Sequence, residues 1–154
     1  MIKSIAIVLY LVLLTSCSKN SIGFKQFYND HKNESKLALS IPKWATMPFI
    51  DKEDRKLIKE LSKGMKSVRV LIDDNTILNS NFADYTELHD YTQYWYVKDS
   101  GDEIQMYTRS EDKDLREIVL SIGTESGDAI IAILGKANFK EFMNKINPYL
   151  KETL

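Results

Sequence analysis

Apolar side chains recur along this chain with two periods, first three-to-four and later two, and the switch between them predicts its elements. Phe24, Phe27, Tyr28 and His31 share one helical face, so positions 24–33 are expected to form an amphipathic helix. Leu37, Leu39 and Ile41 then alternate as one side of a strand, which Pro42 ends by withholding an amide donor. The apolar stretch 44–50 is ambiguous, a turn of helix broken by Pro48 being one reading. Positions 52–63 carry the clearest helix signal. Asp51 can cap it, Glu53 and Asp54 place negative charge in its first turn, and Gly64 follows its last. Leu57, Ile58 and Leu61 form its stripe. Positions 67–72, rich in Val, read as a central strand leaving through Asp73-Asp74-Asn75. Phe82, Tyr85, Leu88 and His89 return to the helical period over 81–90.

From there the pattern is that of an antiparallel meander. Segments 92–97 and 103–108 flank Lys98-Asp99-Ser100-Gly101-Asp102, a glycine-containing turn suited to a hairpin. In 115–122, Ile118, Leu120 and Ile122 share a face; Glu125-Ser126-Gly127-Asp128 then turns the chain into 129–134. That segment is apolar on both faces and is expected inside the sheet. Asn138 can cap a final helix with Phe139, Phe142, Met143 and Ile146 facing inward, bent or ended by Pro148. The predicted fold class is α+β, a mostly antiparallel sheet of about five to six strands with helices packed on one face.

A third pattern opens the chain. Lys3 precedes an unbroken apolar run, 5–14, that ends in Leu14-Thr15-Ser16-Cys17. A cationic start, a short apolar stretch and small residues before a cleavage point mark an export signal. The run is about half the ~20 apolar residues a spanning helix needs. Leu14-Thr15-Ser16-Cys17 resembles the lipobox of bacterial lipoproteins. That resemblance implies cleavage between Ser16 and Cys17 and a diacylglycerol on the Cys17 sulfur. The expected organisation is a signal peptide at 1–16, a lipidated cysteine with a polar tether at 17–23, and one domain at 24–154. Several acyl chains hold a membrane more firmly than one, since each buried CH₂ contributes ~0.8 kcal/mol.

Composition narrows the rest. The 154 residues carry formal charge −1, and loss of the segment containing Lys3 leaves −2, which argues against a nucleic-acid partner. Cys17 is the only cysteine, so neither an intramolecular disulfide nor a cysteine-rich metal site is available. In some lipoprotein systems acidic residues after the cysteine direct export to the cell surface or retention in the inner membrane. With no acidic cluster after Cys17, the resemblance implies the periplasmic face of the outer membrane, the cell surface being the alternative.

Catalytic patterns are sparse. His31 and His89 are the only histidines, both on apolar-periodic faces where packing is the ordinary role; brought together they would make a pH sensor or partial metal site. No G-x-S-x-G, H-E-x-x-H or glycine-rich phosphate loop occurs, and Asp73-Asp74-Asn75 lacks the spaced ligands of a calcium loop. Tyr91, Tyr94, Trp95, Tyr96 and Tyr107 cluster on the predicted hairpin. With Trp95 and Val97 inward, Tyr94 and Tyr96 face outward with Tyr107 beside them, a contact surface for a protein or glycan. Aromatic residues also simply suit strands and cross-strand pairing.

Several segments together resemble a family of short lipoproteins of unknown function from Bacteroidota. They are the lipobox; Lys66-Ser67-Val68-Arg69-Val70-Leu71; the hairpin Trp95-Tyr96-Val97-Lys98 with Ile104-Gln105-Met106-Tyr107; and Glu117-Ile118-Val119-Leu120-Ser121-Ile122. Ile130-Ile131-Ala132-Ile133-Leu134-Gly135 and the Asn138-Phe139 helix start complete the match. The resemblance implies a lipid-anchored envelope protein of α+β type and brings no catalytic residues. The expected function is therefore a non-enzymatic binding or sensing module, without metal or cofactor. A small hydrolase or metal-dependent enzyme using His31 or His89 is one alternative, and a structural or homo-oligomeric envelope protein another.

Overall fold

The computed structural model describes residues 23–46, 48, 51–52, 59, 63–138, 141, 144 and 147–148. The predicted signal and lipidation segment lies outside them, as do most of the 52–63 and final helices, though Lys59, Glu141, Asn144, Asn147 and Pro148 are helical. The described elements run α1 (Phe24–His31), β1 (Leu37–Pro42), α2 (Lys43–Thr46), β2 (Met65–Asp73), α3 (Leu78–Leu88), β3 (Tyr91–Asp99), β4 (Asp102–Glu111), β5 (Asp114–Thr124) and β6 (Gly127–Asn138).

All six strands join one sheet in the order β1-β2-β6-β5-β4-β3, every neighbouring pair antiparallel. This is the predicted α+β fold. The meander β3 to β6 is built by local chemistry. Ser100 and Gly101, at φ 51° and 96°, close β3–β4, and Asp112 and Lys113, at 52° and 73°, close β4–β5. Consecutive positive φ values match the right-handed twist of flanking strands. The strands therefore run further into the turns than the sequence pattern implies, leaving two residues at each. β6 then lies between β5 and β2, consistent with an interior strand apolar on both sides. Gly64 (φ 90°) stands where β2 meets β6; a β-carbon there would run into the carbonyl oxygen of Lys136, whose amide donates to Gly64 O at 2.9 Å.

The register sorts side chains onto two faces. α1 and α3 cover one, where Leu71, Tyr107, Val119, Ile130 and Ala132 of the sheet meet Phe24, Phe27, Tyr28, Leu78 and Phe82 of the helices. Phe82 is the hub. It is fully buried and meets Phe24, Phe27, Tyr91 and Tyr107 edge-on at centroid distances of 5.7, 5.0, 5.7 and 5.5 Å. Such pairs contribute roughly 0.5–1.5 kcal/mol beyond area burial. Met106, Leu115 and Ile118 anchor a second cluster on the opposite face, with Trp95, Leu120 and Ile133 against it.

Two expectations need correcting. Leu88 is 81% exposed, because it lies roughly 120° round α3 from Phe82 at 3.6 residues per turn. The β1 residue on the main core is Ala38, whereas Leu37 and Leu39 share the opposite face and stay well exposed. Alternation identified the strand but could not say which side the helices would cover.

Candidate functional site

Neither main helix caps its own N-terminus; the sheet does it for both. α1 follows Gly23 with no side-chain cap, and its first amide, Phe24 N–H, donates instead to Glu117 Oε2 of β5 at 3.0 Å. α3 follows Ile77 with no side-chain cap, and Asn79 N–H donates to Asp128 Oδ2 of β6 at 2.8 Å. A carboxylate against unpaired helical amides is stabilised by their partial positive charge.

Glu117 is the centre of a buried network. It accepts from Arg109 Nη2 at 3.0 Å and from the Tyr91 hydroxyl, and Tyr85 donates its hydroxyl to Gly23 O at 2.8 Å. Burial, followed by the charge of Glu117, pushes the Tyr91 hydroxyl far above its ordinary range. The network holds Gly23 and Phe24, the point at which the predicted tether joins the fold. A β-carbon on Gly23 would collide with Glu117.

Asp128 borders something more open. Between α3 and the ends of β4, β5 and β6 lies a cleft of about 380 Å³. One wall is Thr76, Asn79, Ser80 and Ala83; the floor is Glu103, Gln105, Gly123 and Asp128; Gly101 and Thr124 stand at the turns. Burial pushes the Asp128 carboxyl above the usual carboxylate range, opposed by the Asn79 amide bond and assisted by the charges of Asp73 and Glu103. Ser121 Oγ donates to Asn79 Oδ1 at 2.7 Å, and Gly123 makes room for the Asn79 amide, whose Nδ2 lies 2.8 Å from where a β-carbon would stand. Along β4, the Tyr107 hydroxyl donates to Gln105 Oε1 and Gln105 Nε2 to Glu103 Oε1, fixing both polar groups in the floor.

The predicted tyrosine surface is rearranged. A bulge lies between Gln93 and Trp95, so Gln93 pairs with Tyr107 but Trp95 with Met106. The extra residue, Tyr94, inverts the facing of everything after it. Trp95 consequently joins the second cluster, and Tyr96 pairs with Gln105 on the helix-bearing face beside the cleft. Tyr94 and Tyr96 are 44% and 48% exposed. Tyr107 is not part of that surface: at 6% exposure it belongs to the aromatic core against Phe82. Sequence alternation assumes an unbroken ladder, which the bulge interrupts.

The histidines are built alike and apart from the cleft. His31 stacks on Phe27 at 4.0 Å and His89 on Tyr85 at 3.8 Å. Each Nδ1 meets the carbonyl four residues back, at 2.9 and 2.8 Å, so each carries its proton there and closes the last turn of its helix. Among the described residues, no three or more His, Cys, Asp and Glu side chains converge as a metal site.

The domain of unknown function DUF4252 matches residues 28–145, most of the chain. The chain belongs to the DUF4252 family. Its matched region runs from Tyr28 in α1 through every described strand of the sheet, and so contains the cleft, the hairpin and Glu117 with Tyr85, Tyr91 and Arg109, while Gly23 and Phe24 precede it. No curated protein matches the chain.

Proposed function

We propose that this DUF4252 protein is a lipid-anchored envelope module that binds or senses a component of the envelope. Cys17 carries the lipid, the outer membrane's periplasmic face is the location, and the β3–β4 edge is the contact surface. The observation behind the binding half is the bulge. It turns a half-exposed aromatic residue, Tyr96, to the helix-bearing face, paired with Gln105 of the polar cleft's floor, and leaves Tyr94 exposed nearby. Amphipathic rings on a stiff scaffold lose little conformational freedom on contact and contribute strongly to recognition. Support for the anchoring half is the Leu14-Thr15-Ser16-Cys17 motif followed by the short polar segment 18–22. Among the described residues, no helix is long and apolar enough to cross a membrane.

The reading favours binding over catalysis because the cleft's polar residues are acceptors, amides and hydroxyls, and no histidine lines it. The test has two arms. Alkyne-palmitate fed to cells expressing the full chain is expected to label it, and Cys17→Ser to abolish both labelling and membrane retention. In-cell crosslinking is expected to capture an envelope component, with Tyr94→Ala plus Tyr96→Ala removing the adduct while the protein stays folded. An unlabelled wild type sinks the anchor, and adducts unaffected by the double substitution sink the hairpin.

A further inference from the structure

Which chemistry would seat itself beside Tyr96 is answered by the residues of the cleft. Its described lining supplies two carboxylates, Glu103 and Asp128, two amides, Asn79 and Gln105, and the hydroxyls of Thr76, Ser80 and Thr124. No Lys, Arg or His stands among them, so a phosphate, sulfate or carboxylate ligand would meet negative charge with no compensating cation. Nor does the cleft offer the predominantly apolar walls that hold a hydrophobic ligand. Carboxylates and amides in alternation, by contrast, suit groups that donate and accept at once. A hydroxyl does so, and adjacent hydroxyls on one ring do so repeatedly.

Three further features narrow the choice. Gln105 and Glu103 are held by the relay from Tyr107, so their orientation is set before any ligand arrives. Asp128 is committed to the α3 amide and Glu103 to the Gln105 amide, so each carboxylate already has a hydrogen-bonded partner before any ammonium arrives. Tyr96 adds a half-exposed aromatic face directly across from Gln105, at the ~5 Å spacing of paired strand residues. An aromatic face gives the C–H side of a pyranose ring its apolar contact, while the ring's hydroxyl edge turns to the polar groups. At about 380 Å³ the cleft falls at the lower end of the roughly 300–1,000 Å³ typical of ligand sites.

We infer that the cleft between α3 and the ends of β4–β6 is a binding site for a neutral saccharide of one or two rings, with Tyr96 as its stacking platform. This deepens the binding reading given above and rests on it. Glu103, Gln105 and Asn79 take the ring hydroxyls, Gly123 leaves the floor room for the Asn79 amide, and Gly101 stands at the turn beside it.

The experiment is saturation-transfer difference NMR on the full chain in detergent. Maltose and chitobiose serve as neutral probes, glucosamine as the cationic probe and glucose 6-phosphate as the anionic one. Each is titrated to about 10 mM, ten times a millimolar Kd. At least one neutral disaccharide is expected to bind. Tyr96→Ala should weaken it roughly two- to tenfold, the worth of one stacked ring. Tyr96→Phe should restore it, and Leu88→Ala, on the exposed side of α3, should leave it unchanged. No neutral binding, binding confined to glucosamine or equal for glucose 6-phosphate, or binding indifferent to Tyr96→Ala overturns the inference. Crosslinked adducts that still depend on Tyr94 and Tyr96 in that event leave the broader binding reading standing; their loss removes both.

Discussion

Replacing Glu117 with alanine is the sharpest test of how this fold is held together. Its carboxylate takes three donors from three elements: the Phe24 amide that opens α1, the Arg109 guanidinium of β4 and the Tyr91 hydroxyl of β3. The side chains of Arg109 and Glu117 are only 13% and 7% exposed, so water cannot replace what is removed. Arg109 Nε already lacks a hydrogen-bond partner, and the substitution would leave the whole cation buried and unpaired. Breaking a buried ion pair at one end costs about 3–5 kcal/mol, against about 1 kcal/mol for an ordinary neutral hydrogen bond. The larger figure governs here, because the stranded group is charged. Domains of this size hold about 5–15 kcal/mol in total, so the loss is a fifth or more of the folded state's margin. Urea titration of the full chain, followed through the fluorescence of Trp44 and Trp95, is expected to show that loss. Tm should fall by about 9–20 °C at 3–4 °C per kcal/mol. Replacing both partners, Glu117→Met with Arg109→Met, should recover much of it, since no charge is then left buried. A single substitution costing under 1 kcal/mol, or a double one no better than the single, would refute the account.

Two further outcomes follow from the geometry. Gly64→Ala should cost about 2 kcal/mol or more in the same titration, because φ 90° disfavours any β-carbon and this one meets the Lys136 carbonyl; a neutral result would mean that the β2–β6 junction is not as close as described. Tyr85, Tyr91 and Tyr107 all have hydroxyls pushed above the ordinary value of about 10, burial being the first cause in each. The unfolded chain then loses protons that the folded one keeps, so stability is full below pH ~10 and declines as pH rises beyond it. Thermal melts from pH 8 to 11.5 should show this decline, and Tyr91→Phe should flatten it; a flat wild-type profile would contradict the burial of these hydroxyls.

The candidate site was legible only in its ingredients. Tyr94 and Tyr96 stand out in the sequence as neighbouring rings on a strand, but their neighbours depend on a one-residue bulge. Nothing in the local pattern marks Gln93–Trp95 as the place where pairing slips. Tyr107 looks like a third surface ring and is instead core, because Phe82 from α3 lies over it. In the sequence Asp128 sits in a turn, Glu103 opens a strand and Asn79 falls just before a helix, with nothing to connect them. Each becomes notable only when α3 lies across the strand ends.

What the sequence by itself determined is whatever local periodicity and turn chemistry specify. The strands of the meander, the Ser100-Gly101 turn, α1, and the apolar-on-both-sides character of β6 each follow from residues within about ten positions of one another. The tertiary structure decided everything that depends on distant partners: the attachment of β2 to β6, the face on which α1 and α3 settle, and the identity of their caps. Glu117 reaches Phe24 across 93 positions and Asp128 reaches Asn79 across 49. A glutamate in an apolar strand looks like a flaw until the helix amide and the arginine it serves are brought to it. Burial turns that polar residue into a structural necessity, and burial is a property of the assembled chain.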